Sequence, residues 1–203
     1  MHRTGPAVSF LSVERGAASG PAGDRPYVMP TKRSMTVDLR KDAKAVRKLL
    51  EQRVREYAAK ATRARRVPPV SAVVVGYCLC QDGWVIVQFD TRPAHERDGH
   101  WTSFENRDVF ELTHWEAAYE AVQNKPVTFI LPDESRRVLA KGSADEKVGA
   151  VFGRVIRDVL LRAKKDGLFD ALPKRDTCQL DVEEFNGMWA WPAYEKLGKV
   201  NRA

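Results

Sequence analysis

Leu39, Ala43, Val46, Leu50, Val54, Tyr57 and Ala61 recur at steps of four and three residues. That is the 3.6-residue period of an amphipathic helix, and it predicts one from Asp38 to about Arg65. Asp38 is placed to cap its start, where a carboxylate also meets the positive end of the helix dipole. Arg63, Arg65 and Arg66 suit the negative end, and Pro68-Pro69 stops the helix. The pattern then changes. "VSAVVVGYCLC" and "WVIVQF" are rich in β-branched residues and are separated by Gln81-Asp82-Gly83, a hairpin turn signal. The first run is apolar on both faces, which predicts a central, covered strand. The second alternates Val85, Val87 and Phe89 against Trp84, Ile86 and Gln88.

Further along, Thr113 to Glu116 reads as a capping box opening a helix, with Trp115, Ala118, Tyr119 and Val122 on one face. Pro126 ends it, and "VTFIL" reads as a strand. Ser143 to Glu146 is a second capping box. Its helix runs to about Lys165, with Val148, Phe152, Val155, Val159 and Ala163 inward and Gly167 at the C′ position. "CQLDVEEF" is a last strand, followed by an Asn186-Gly187 turn and the aromatic tail "MWAWPAY". Helices and strands do not alternate strictly, and one hairpin is tight. This order predicts an α+β fold: a single two-layer domain, with an antiparallel or mixed sheet of about four or more strands and helices packed on it.

Composition divides the chain in two. Residues 1–35 are rich in Gly, Pro, Ser and Ala without a period, and such a segment does not bury enough apolar surface to offset its ordering entropy. It is expected to be disordered, with 36–203 forming the α+β domain. The short "AVSFLSV" run hints at a signal peptide but is brief and broken by serines; translation from Met29 or Met35 is the plainer expectation. No apolar run approaches the roughly 20 residues of a membrane helix. Three cysteines in 203 residues are no disulfide framework, and a reducing, cytoplasmic location is expected. The net charge of +7 is uneven: up to Arg66 there are 16 Lys and Arg against 6 Asp and Glu, and beyond it 18 against 21. An anionic partner is therefore a question about the first helix.

Phosphate-loop, dinucleotide, nucleophile-elbow and His-Glu-x-x-His motifs are absent. Cys78 and Cys80, two apart on an expected strand, face one way and read as core residues; ligation of a metal with Cys178 and a histidine is the lesser alternative, since no second pair at zinc spacing exists. "HERDGHWTSFENRDVFELTHWE" carries three of the four histidines. His95, His100 and His114 are the alternative metal ligands, with Asp90 or Asp98, for a hydrolase-type site; the expectation preferred here is a solvated loop running into a capped helix, with His114 facing water. Arg40, Lys44, Arg47, Lys48 and Arg55 lie off the apolar stripe of the first helix and are the candidate phosphate contacts of a nucleic-acid reading. Glu51 and Glu56 among them favour an ordinary solvated face. The tail either closes the core under a sheet edge or anchors a partner. Trp101 in the polar loop, with Trp189, Trp191 and Tyr194, are the candidate anchors.

The succession of basic helix, "VVVGYCLCQDGWVIVQFDTRP" hairpin, polar loop and "ELTHWEAAYE" resembles bacterial α+β domains associated with immunity proteins of polymorphic toxin systems. Trp115 with Glu116 and Glu120 approximates that family's Trp-x-x-x-Glu-Trp segment imperfectly. The resemblance covers roughly residues 38–190 in layout and brings no catalytic residues. It implies a cytoplasmic, non-enzymatic binder of a protein partner such as a toxin, without a cofactor. Nucleic-acid association is the second expectation and metal-dependent hydrolysis the third; no membrane partner is expected.

Overall fold

A computed structural model describes residues 34–64, 67–80, 83–92 and 110–185, with the backbone of 195–196. The segment 1–33, for which disorder is expected, lies outside them. The elements are β1 (Met35–Asp38), α1 (Arg40–Arg63), β2 (Val70–Tyr77), β3 (Trp84–Asp90), β4 (Phe110–Glu111), α2 (Thr113–Asn124), β5 (Val127–Ile130), β6 (Arg136–Leu139), α3 (Asp145–Lys165), β7 (Lys174–Glu184) and β8 (Glu195–Lys196), with a 3-10 turn at Leu168–Ala171. The domain is α+β, as expected, but it holds two mixed sheets rather than one. Strand order is β4-β3-β2-β7-β8 in the larger and β1-β5-β6 in the smaller.

β2 is buried at all eight positions, in keeping with a continuous apolar run. It pairs antiparallel with β3, Val75 opposite Val87, and parallel with β7, Val75 opposite Val182. The hairpin closes at Gly83, whose φ of +60° is left-handed. A Cβ there would come within 2.2 Å of the Leu112 carbonyl oxygen, and Leu112 N–H in turn donates to Gly83 O. Glycine is thus required twice, by φ and by the close approach. In the smaller sheet β1 pairs parallel with β5, Val37 opposite Phe129, and β6 pairs antiparallel with β5. β1 and β6 are short and flanked by charge, which hid them in the sequence.

Val46, Leu50 and Val54 of α1, Trp115, Ala118 and Val122 of α2, and Val148, Phe152, Val155 and Val159 of α3 are buried together with β2, β5 and β7 side chains in one apolar cluster. Each such aliphatic side chain contributes about 1.5–3 kcal/mol by leaving water. A run of rings crosses this core: Tyr77 edge-on to Trp115 at 6.2 Å, Trp115 to Phe152 at 4.6 Å, and Phe152 edge-on to Phe129 at 5.5 Å. It joins the larger sheet, two helices and the smaller sheet.

The helix starts differ from expectation. Leu39, Leu112 and Ala144 occupy the N-cap positions, and none makes a side-chain cap hydrogen bond. Asp38 still accepts the Arg40 N–H at 3.1 Å, from one residue further out, because Leu39 is drawn fully into the core. Thr113 is the first helical residue of α2. Ser143 Oγ donates to Ala140 O in the preceding turn rather than capping α3. Gly167 follows the end of α3 with φ +73°, as expected of a C′ glycine. Cys78 and Cys80 both lie beyond the end of β2; Cys78 and Cys178 are buried, but Cys80 is exposed rather than in the core as expected, so the two thiols do not run parallel along one strand.

Candidate functional site

Packing of the apolar face of α1 leaves its basic face over a groove between α1, α3 and the β5–β6 turn. The groove has a volume of about 760 Å³. Ala43 and Val159 give it an apolar floor with Pro132, and six cations line it: Arg40, Lys41, Lys44, Arg47, Lys48 and Arg162. Asp38, Glu51, Glu134 and Asp166 are the carboxylates among them. Of the five cations singled out in the sequence, four line the groove. Arg55 does not; it folds back on α1, donating to Glu51 O at 3.2 Å.

Arg40 and Arg47 are each held between two carboxylates. Arg40 reaches Asp38 at 2.7 Å and Glu134 at 3.8 Å. Arg47 reaches Glu51 at 2.7 Å and Asp166 at 3.0 Å. The Arg40 guanidinium and backbone N–H hold the Asp38 carboxyl down at about 2, and Asp38 in return raises Arg40. Lys44 and Lys48 make no ion pair among the described residues and are exposed. The groove is therefore a lattice of fixed pairs with free ammonium groups between them. Arg162, Glu134 and Asp166 come from beyond α1 and carry no local signal that would link them to it. Only Arg154, Asp158 and Arg162, four apart along α3, announce a charged stripe.

A second polar constellation lies inside the fold. Asp42, on the first turn of α1, is 4% exposed. Its Oδ2 accepts the Trp115 indole N–H at 2.8 Å and lies 2.7 Å from His114 Nε2. A carboxylate accepts and does not donate, so Nε2 carries its proton here. His114 is half exposed, not simply turned to water as expected. Asp42 was not singled out in the sequence; the signal that could have found it is its place four residues before Val46, on the buried face of α1. Its role is to tie α1 to α2 and to satisfy a buried indole.

Among the described residues no group of three His, Cys, Asp or Glu side chains is placed to hold a metal ion. His95 and His100, and the candidate anchors Trp101, Trp189, Trp191 and Tyr194, lie outside the described residues. Elsewhere, Glu183 on β7 is pushed up to about 7 by burial and by the charges of Asp181 and Glu184. Burial, reinforced by Glu184, raises Tyr77, whose hydroxyl donates to Gly149 O at 2.8 Å. No helix among the described residues is long and apolar enough to cross a membrane.

No family model, curated protein or solved structure matches the chain.

Proposed function

We propose that this chain is a non-enzymatic binding module whose α1–α3 groove seats the acidic face of a protein partner. The charge pattern of the groove carries the reading: two arginines each bracketed by two carboxylates, with Lys44 and Lys48 unpaired between them. Four fixed carboxylates would repel a polyphosphate, whose negative charge is uniform and closely spaced. A protein surface presents both signs and can match both. A toxin, the partner class implied by the resemblance to immunity-associated domains, is one specific form of this reading.

Nucleic acid is the second reading, favoured by the free ammonium groups alone. One experiment separates them. A partner captured by the intact chain is purified, and the pair is titrated calorimetrically at about 150 mM salt. Lys44→Glu with Lys48→Glu should weaken the complex tenfold or more, and acid-to-Lys changes on the partner should restore it. Submicromolar binding of a 20-nucleotide strand at that salt, lost in the same double variant, would move the function to nucleic acid.

A further inference from the structure

β6 ends the smaller sheet: β5 lies on one side, and no strand pairs with its other side among the described residues. An open edge presents unpaired backbone groups to any extended chain. Val138 on this strand is 64% exposed, the one exposed large hydrophobic side chain among the described residues. Arg137 stands opposite the buried Phe129, on the face turned toward α3. There it lines a cavity of about 90 Å³ with Arg154, Arg157 and Arg162, against Asp133 and Asp158.

The charges in this cavity are not balanced. Arg157 is taken by Asp158 at 3.0 Å, and Arg162 acts on Asp133, whose carboxyl is already engaged by Ser135. Arg137 and Arg154 make no ion pair among the described residues. The space equals roughly three waters, enough for a carboxylate and a methylene or two. It is far below the roughly 300 Å³ at which small-molecule sites begin. Guanidinium groups hold carboxylates through paired N–H bonds.

We propose that β6 is a docking edge for an extended acidic segment of a protein partner, whose backbone pairs with the open side of the strand while one carboxylate enters the Arg137–Arg154 cavity. Strand addition needs a backbone with alternating N–H and C=O groups, which a nucleic acid lacks. A second copy of this chain is disfavoured, since antiparallel pairing about Arg136 and Arg137 sets guanidinium against guanidinium. The proposal shares with the groove reading the class of partner, and the two sites have Pro132 and Arg162 in common; they are separately testable.

The probe is a capped nine-residue peptide alternating Glu with Thr and Val, fluorescently labelled and followed by anisotropy with the full chain at about 150 mM salt. Saturable binding is expected. Replacing its Glu by Gln, or N-methylating alternate backbone amides, should each weaken it at least tenfold. Arg137→Gln with Arg154→Gln should do the same with an unchanged circular dichroism spectrum, whereas Lys44→Glu with Lys48→Glu should leave it within twofold. No saturable binding, or equal binding of the Gln or N-methyl peptide, overturns the proposal, and neither depends on a protein variant folding. Displacement by oligo-dT at equal concentration overturns it in favour of a phosphate site. Loss in the Lys44/Lys48 variant would relocate the site and overturn it as well. The groove reading fails on different results: its own partner tolerating that double change, or submicromolar strand binding lost with it.

Discussion

Gly83 meets the backbone of Leu112 so closely that no side-chain movement can make room for a methyl group. With its φ of +60° as well, Gly83→Ala should cost about 2–4 kcal/mol, read as a lower midpoint in urea at unchanged slope. Asp42 is the second residue on which much depends. Asp42→Ala strands the buried Trp115 indole N–H and should cost about 2–4 kcal/mol by thermal or chemical melting. His114→Ala leaves that indole bonded and should cost less. Glu183 gives a pH signature. Its folded-state value of about 7 lies above the ordinary 4.5, so the folded state disfavours its ionisation. Stability from this group is intact below about pH 4.5 and falls as pH rises through 7. Glu183→Gln should therefore stabilise at pH 8, by on the order of 1 kcal/mol given partial solvation, and do little at pH 4. Asp42 was not singled out in the sequence, although four residues before Val46 it shares the buried face of α1. For Glu183 the flanking charges of Asp181 and Glu184 stand in the sequence, whereas its burial comes with the pairing of β7 on β2.

Helices were the most legible elements, and their ends the least. The stripe of α1 named Val46, Leu50 and Val54, all fully buried or nearly so; Leu50→Ala should cost about 2–5 kcal/mol in equilibrium unfolding. The capping boxes at Thr113 and Ser143 failed for different reasons. Leu112, just before Thr113, binds Gly83 and is buried, so α2 starts one residue early, whereas the Ser143 hydroxyl is spent locally on Ala140 O and Ala144 takes the N-cap position. β5 is as short as β1 and β6 but was read from its apolar run, whereas Thr36 and Asp38 in β1 and Arg136 and Arg137 in β6 interrupt the apolar pattern that marks a strand. The groove cations on α1 were legible as a basic face, but the carboxylates of the β5–β6 turn and the end of α3 that bracket them were not. Electrostatic meaning came from the partners, which only the fold assembles.

Over the whole molecule, the two sheets share one core through the Tyr77–Trp115–Phe152–Phe129 rings. Phe152→Ala removes the middle of that splice and should cost about 3–5 kcal/mol. It should also make β5 amides exchange with solvent sooner, relative to those of β2 and β7, than they do in the unaltered chain. The parallel pairing of β2 with β7, Val75 beside Val182, matters also while the chain is being made. The valine-rich β2 hairpin leaves the ribosome roughly a hundred residues ahead of the strand that covers it, about 5–20 s at ordinary elongation rates. For that interval an uncharged, β-prone edge stands bare. Chaperone demand and inclusion-body yield should therefore track the delay before β7 emerges more closely than the stability of the finished fold.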